Sequence, residues 1–147
     1  MSSSIDSTIS RLELLAVICG LRASKFVNLH LTVPISSSTL WTESTIVLQW
    51  LNSYEVQPMF VENRLREIRQ TFNITLKYVP TADNPADTLS RGQKASILKE
   101  SELWWHGPSW ITHERMWPPS PPNSQTFTSN IQHSNVTFIT IQESQST

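Results

Sequence analysis

The chain has 147 residues, with 11 Lys and Arg against 12 Asp and Glu and a formal net charge of −1. That length holds one domain and a tail, and the balanced charge argues against a free-standing nucleic-acid binder, which shows a basic excess. Cys19 is the sole cysteine, which excludes a disulfide partner within the chain and a cysteine-based zinc site. Without an apolar run near the ~18 residues of a membrane span, or a signal-peptide pattern, the expected location is intracellular and cytoplasmic, with no membrane partner.

Four stretches are expected along the chain. Residues 1–9, rich in Ser and Thr, read as a disordered leader. Residues 10–92 carry the periodic apolar patterns, residues 93–117 form a Trp-rich linker, and residues 118–147 a mostly disordered tail. In that tail 18 of 30 residues are Ser, Thr, Asn or Gln. It opens on the polyproline-like run Pro118-Pro119-Ser120-Pro121-Pro122, and only 136–141 alternates as a strand would.

Leu12, Leu15, Ala16, Cys19, Ala23, Phe26 and Val27 recur at helical spacing, predicting a helix over 10–29 with Cys19 in the core. Leu14, Val17, Ile18 and Leu21 make that helix apolar almost all round, so it requires partners on more than one side. After the break at Pro34, residues 39–42 read as a strand and 44–52 as a helix with Val47, Trp50 and Leu51 on one face. Val61, Leu65, Ile68 and Phe72 mark an amphipathic helix with Glu62 and Arg66 paired on its other side. Residues 74–79 alternate as a strand with Ile74, Leu76 and Tyr78 inward, and 85–90 form a short helix ended by Gly92. Strands joined by helices indicate an α/β fold with a parallel sheet.

Three carboxylates fall at predicted segment ends. Glu13 lies in the first turn of the long helix, Glu43 where the first strand gives way to a helix, and Asp87 in the first turn of the short helix. Sites in α/β sheets gather outside the carboxyl ends of strands, and converging carboxylates suit Mg²⁺, a hard ion that takes oxygen ligands. The same positions have a structural reading. Ser10-Arg11-Leu12-Glu13 fits a capping box, and the helix dipole favours acids in first turns.

Three blocks together resemble the ribonuclease H-type domain in the Pol polyprotein of BEL/Pao retrotransposons. They are 10–16 (SRLELLA), 40–51 (LWTESTIVLQWL) and 78–92 (YVPTADNPADTLSRG). Residues 103–111 (LWWHGPSWI) and Trp117-Pro118 resemble the segment leading toward the integrase. The resemblance implies a ribonuclease H-like fold whose parent domain hydrolyses the RNA strand of RNA–DNA hybrids by two-metal catalysis with Mg²⁺. Glu13, Glu43 and Asp87 would be its catalytic metal ligands, and the reverse transcriptase and integrase regions of the same polyprotein its partners. Glu43 stands where the family carries aspartate. The family's first aspartate, on an opening strand, has no counterpart here, so the fold is expected to be incomplete, lacking its first strands. The chain alone is expected to be inactive.

The alternative is a non-catalytic remnant with weak nucleic-acid binding, or a Pro-rich interaction segment at 118–122. The tryptophans of 104–117 are expected to pack the linker onto the domain rather than to stack on bases. His106 and His113 read as surface residues. Arg64, Arg66, Arg69 and Lys77 read as a solvated face balanced by Glu62 and Glu67.

Overall fold

The computed structural model describes residues 3–129, with side chains from residue 8 onward. Its elements are helix α1 (Ser3–His30), strand β1 (Ser38–Thr42), helices α2 (Thr45–Asn52) and α3 (Met59–Arg69), and strand β2 (Ile74–Tyr78). Helices α4 (Pro85–Ser90), α5 (Ala95–Lys99) and α6 (Glu102–His106) follow, then strand β3 (Phe127–Thr128). The protein is α/β, as the alternation of patterns predicts. None of its helices among the described residues is long and apolar enough to cross a membrane.

β1 and β2 run parallel, in register from Ser38 opposite Ile74 to Thr42 opposite Tyr78. A third strand was not expected here: β3 pairs antiparallel with β2, Leu76 opposite Phe127, so the sheet is mixed in the order β1-β2-β3. The start of the expected tail therefore belongs to the fold over 118–129. Ser129 is buried and its hydroxyl donates to the Thr71 carbonyl. The Asn52 side chain donates to the Gln125 carbonyl at 2.9 Å. The alternating patch at 136–141 lies outside the described residues.

One core cluster joins Leu14, Val17, Ile18 and Leu21 of α1 to Val47, Leu48 and Leu51 of α2, Val61, Leu65 and Ile68 of α3, and Ile74 and Leu76 of β2. Successive strand residues point to opposite faces, so Leu40 turns toward this cluster and Trp41 away from it. Trp110 and Trp117 meet Trp41 edge-on, at ring-centroid distances of 4.9 and 5.1 Å. The Trp-rich segment thus covers the second face of the sheet, as expected of it.

Helix α1 departs from expectation in three ways. It begins at Ser3 rather than Ser10, so residues 3–9 are helical and not a disordered leader, because no Gly or Pro precedes Gly20 to break the helix. Its buried stripe is Leu14, Val17, Ile18 and Leu21, and the stripe containing Leu12, Cys19 and Phe26 faces outward. Cys19 is therefore exposed rather than a core position. Helix α3 ends at Arg69, which leaves Phe72 exposed. Glu62 pairs with Arg69 at 3.3 Å, seven residues on, where an i,i+4 partner at Arg66 was expected.

Candidate functional site

Glu13, Glu43 and Asp87 come from three elements and line one cleft of ≈460 Å³. Ala16, Val17 and Gly20 of α1 form one wall, the end of β1 forms the floor, and Asn84, Ala86 and Ser90 form the other wall. The cleft opens at the carboxyl end of β1, the position where α/β sheets bind ligands. Helix α1 crosses closely here: a Cβ on Gly20 would lie 3.7 Å from the Leu40 side chain.

Each carboxylate is engaged by a neighbour. Ser44 Oγ donates to Glu13 Oε2 at 2.5 Å, and the same oxygen accepts from Val47 N at 3.3 Å as the N-cap of α2. Thr81 Oγ1 donates to Glu43 Oε2 at 2.8 Å and Asn84 Nδ2 to Glu43 Oε1 at 2.5 Å. Asn84 caps α4 through its other side-chain atom, accepting from Ala86 N at 3.1 Å. Arg91 Nε lies 2.7 Å from Asp87 Oδ2, one turn along. Hydrogen bonding to Asp87, and then its charge, raises the Arg91 pKa above its ordinary value.

Two helix-end readings change with this geometry. With α1 starting at Ser3, Ser10 and Glu13 lie inside the helix and form no capping box. Glu43 precedes the Ser44 cap, so it stands outside the first turn of α2 and not within it. Asp87 does lie in the first turn of α4.

A shared cleft is not yet a metal site. Among the described residues no three His, Cys, Asp or Glu side chains converge closely enough to hold a metal ion. In this arrangement the three carboxylates do not fit Mg²⁺, which demands near-ideal octahedral oxygen geometry. Both oxygens of Glu43 already accept hydrogen bonds.

Sequence reasoning missed the partners Ser44, Thr81, Asn84 and Arg91, and also Asp83, whose carboxylate accepts from Trp110 Nε1 at 3.0 Å. Asn84 and Ser44 gave a signal, as capping residues at helix starts, and so did Arg91, four residues after Asp87.

Three of the four basic residues considered for phosphate contact, Arg64, Arg69 and Lys77, serve the fold. Arg64 lies 3.5 Å from the Phe60 ring centroid and donates to the Phe60 carbonyl at 2.8 Å. Arg69 donates to the Trp50 carbonyl at the end of α2 at 2.9 Å. Lys77 sits 4.3 Å above Trp117. His106 pairs with Glu102 at 3.5 Å on the surface, and His113 contacts Thr112 at 3.0 Å. No family model, curated protein or solved structure matches the chain.

Proposed function

We propose that this chain is part of a ribonuclease H-type domain of a BEL/Pao-like retrotransposon Pol polyprotein, with Glu13, Glu43 and Asp87 as the carboxylates of its cleft. The observation that carries the reading is their meeting in one cleft at the end of β1, although they lie 30 and 44 residues apart in sequence. A parallel strand pair with a helix leaving each carboxyl end supports it as well. In the intact domain the substrate is the RNA strand of an RNA–DNA hybrid and the ion is Mg²⁺. The reverse transcriptase and integrase regions are its polyprotein partners.

The chain by itself is a non-catalytic form of that site. Before a cation could enter, Ser44, Thr81, Asn84 and Arg91 would have to release the carboxylates they hold. The Pro-rich adaptor reading has less support, because the Pro118–Pro122 run leads into a turn that Ser124 fixes by donating to the Pro121 carbonyl at 2.9 Å.

The test is a titration of the purified chain with Mn²⁺, a paramagnetic substitute for Mg²⁺, followed by amide NMR, beside an assay on a labelled hybrid. Weak broadening centred on Glu13, Glu43 and Asp87, diminished by Asp87→Ala and without hybrid cleavage, is the expected result. Broadening elsewhere only, or none, overturns the cleft assignment. Cation-dependent cleavage lost in Asp87→Ala overturns the non-catalytic reading.

A further inference from the structure

Four side chains hold the cleft carboxylates, and three of them are uncharged. Ser44, Thr81 and Asn84 donate to Glu13 and Glu43 through hydroxyls and an amide, so they fill carboxylate oxygens without repelling an approaching cation. Arg91 does both. Its Nε lies 2.7 Å from Asp87 Oδ2. Among the described residues it is the only basic side chain ion-paired with a cleft carboxylate.

An i,i+4 pair on a helix surface is ordinarily a weak link. Three observations give this one a further consequence. The pair is asymmetric, because the Asp87 side chain is 24% exposed and lines the cleft, whereas that of Arg91 is 69% exposed. The Arg91 backbone is fixed: its amide donates to the Asp87 carbonyl at 3.1 Å, and Gly92 at φ +74° ends the helix directly after it. Rotation of one side chain therefore breaks the contact without unfolding α4. Finally, Glu43 acts on the same guanidinium from the end of β1. The hydrogen bond and charge of Asp87 raise the Arg91 pKa, desolvation opposes them, and the charge of Glu43 adds to the rise. The guanidinium thus sits where the fields of two cleft carboxylates from different elements add.

We propose that Arg91 is the resident counter-ion of the cleft, a guanidinium that holds Asp87 in place of a divalent cation and must swing out before one binds. This rests on the reading of Glu13, Glu43 and Asp87 as one cation-binding set, and it supplies that set with a latch. A divalent ion on Asp87 would stand within a few ångströms of the guanidinium. Even in water, repulsion at about 4 Å costs such an ion on the order of tenfold in affinity. Part of the poor fit to Mg²⁺ is thereby electrostatic: Asp87 already has its cation. Ser44, Thr81 and Asn84, being neutral, add no such barrier.

The experiment titrates the full chain with Mn²⁺ at low ionic strength, following amide NMR in the parent, Arg91→Gln and Arg91→Lys. Arg91→Gln is expected to lower the midpoint of broadening around Glu13, Glu43 and Asp87 by about tenfold, with unchanged circular dichroism. Arg91→Lys keeps the charge and is expected to stay close to the parent. A second measurement needs no variant: on adding Mg²⁺ to the parent, the Arg91 Nε–Hε resonance is expected to move toward that of a free, exposed arginine. Equal midpoints in the parent and Arg91→Gln overturn the inference and leave the cleft reading standing. So does a midpoint lowered as far by Arg91→Lys, or an Arg91 resonance that stays in place while the cleft amides shift. If the cleft amides respond in none of the three proteins, the cleft reading itself falls, and the inference with it.

Discussion

Ser44 and Glu13, 31 residues apart, are joined by a 2.5 Å hydrogen bond from the serine hydroxyl to the carboxylate. Through the same oxygen Ser44 accepts from Val47 N and so caps α2. One hydroxyl thus ties the start of α2 to the middle of α1, and it does so from a buried position. Ser44→Ala removes the cap and leaves Glu13 without this donor. The expected loss is about 1–2 kcal/mol, the usual cost of a lost cap with one further hydrogen bond. Urea unfolding of the variant measures it, and a midpoint equal to the parent's would mean that neither bond contributes.

Glu43 spans Thr81 and Asn84 with separate oxygens, holding the loop before α4 against the end of β1. Aspartate is one methylene shorter and cannot keep both contacts without moving the backbone. Glu43→Asp is therefore expected to loosen 81–91, visible as severalfold faster limited proteolysis there. It also frees a carboxylate in the cleft, so Mn²⁺ broadening at Asp87 should strengthen. Unchanged proteolysis and unchanged broadening would together show that the bridge adapts to the shorter side chain.

The parts of the fold legible in sequence are those where one stripe alone is apolar. Val61, Leu65 and Ile68 mark a single face, and it is buried; on α2 the expected face of Val47, Trp50 and Leu51 is buried at Val47 and Leu51, with Leu48 in the core and Trp50 only partly buried against it. Ile74 and Leu76 alternate with polar neighbours and point inward. Helix α1 has two apolar stripes, so periodicity finds the helix but cannot choose the face. The choice fell to Leu14, Val17, Ile18 and Leu21 through contact with α3, β1 and α2. Strand β3 has two residues, too few to show any period, and is held by hydrogen bonds of Ser129 and Asn52 to distant partners. The site divides in the same way. Its carboxylates stand out by position, whereas Ser44, Thr81 and Asn84 are hydroxyls and an amide whose partners only the tertiary fold supplies.

Arg22 of α1 and Glu67 of α3 form a two-pronged ion pair, both contacts at 2.9 Å. The hydrogen bond from Arg22 holds the Glu67 carboxyl below its ordinary value; burial opposes it, and the charges of Arg22, Lys25 and Arg64 add to the lowering. A lowered carboxylate pKa adds stability that is complete above about pH 4.5, the ordinary value, and vanishes as pH falls through the lowered one. Arg22 is largely exposed, so salt screens the pair and its net effect is small. Carboxyl NMR is expected to show Glu67 titrating below the ordinary range, and returning toward it in Arg22→Ala or in high salt. An identical titration in Arg22→Ala would remove Arg22 as the cause.

Trp41 is the point at which the far face of the sheet is closed. It lies in β1 beside Lys77 in the register, and Trp110 and Trp117 approach it edge-on, the arrangement favoured by ring quadrupoles. Trp110 is also anchored by its hydrogen bond to Asp83, at the start of the cleft loop. Closing this face and positioning that loop are thus one packing event, which predicts different outcomes for two substitutions. Trp41→Ala empties the cluster and is expected to cost about 2–3 kcal/mol, below the fully buried range because the ring is only half-buried. Trp110→Phe keeps most of the ring contact but loses the donor, for about 1 kcal/mol, and should raise amide exchange over 81–87. Equal costs for the two variants, or no change in exchange in Trp110→Phe, would separate the aromatic cluster from the loop and leave Asp83 with no part in positioning it.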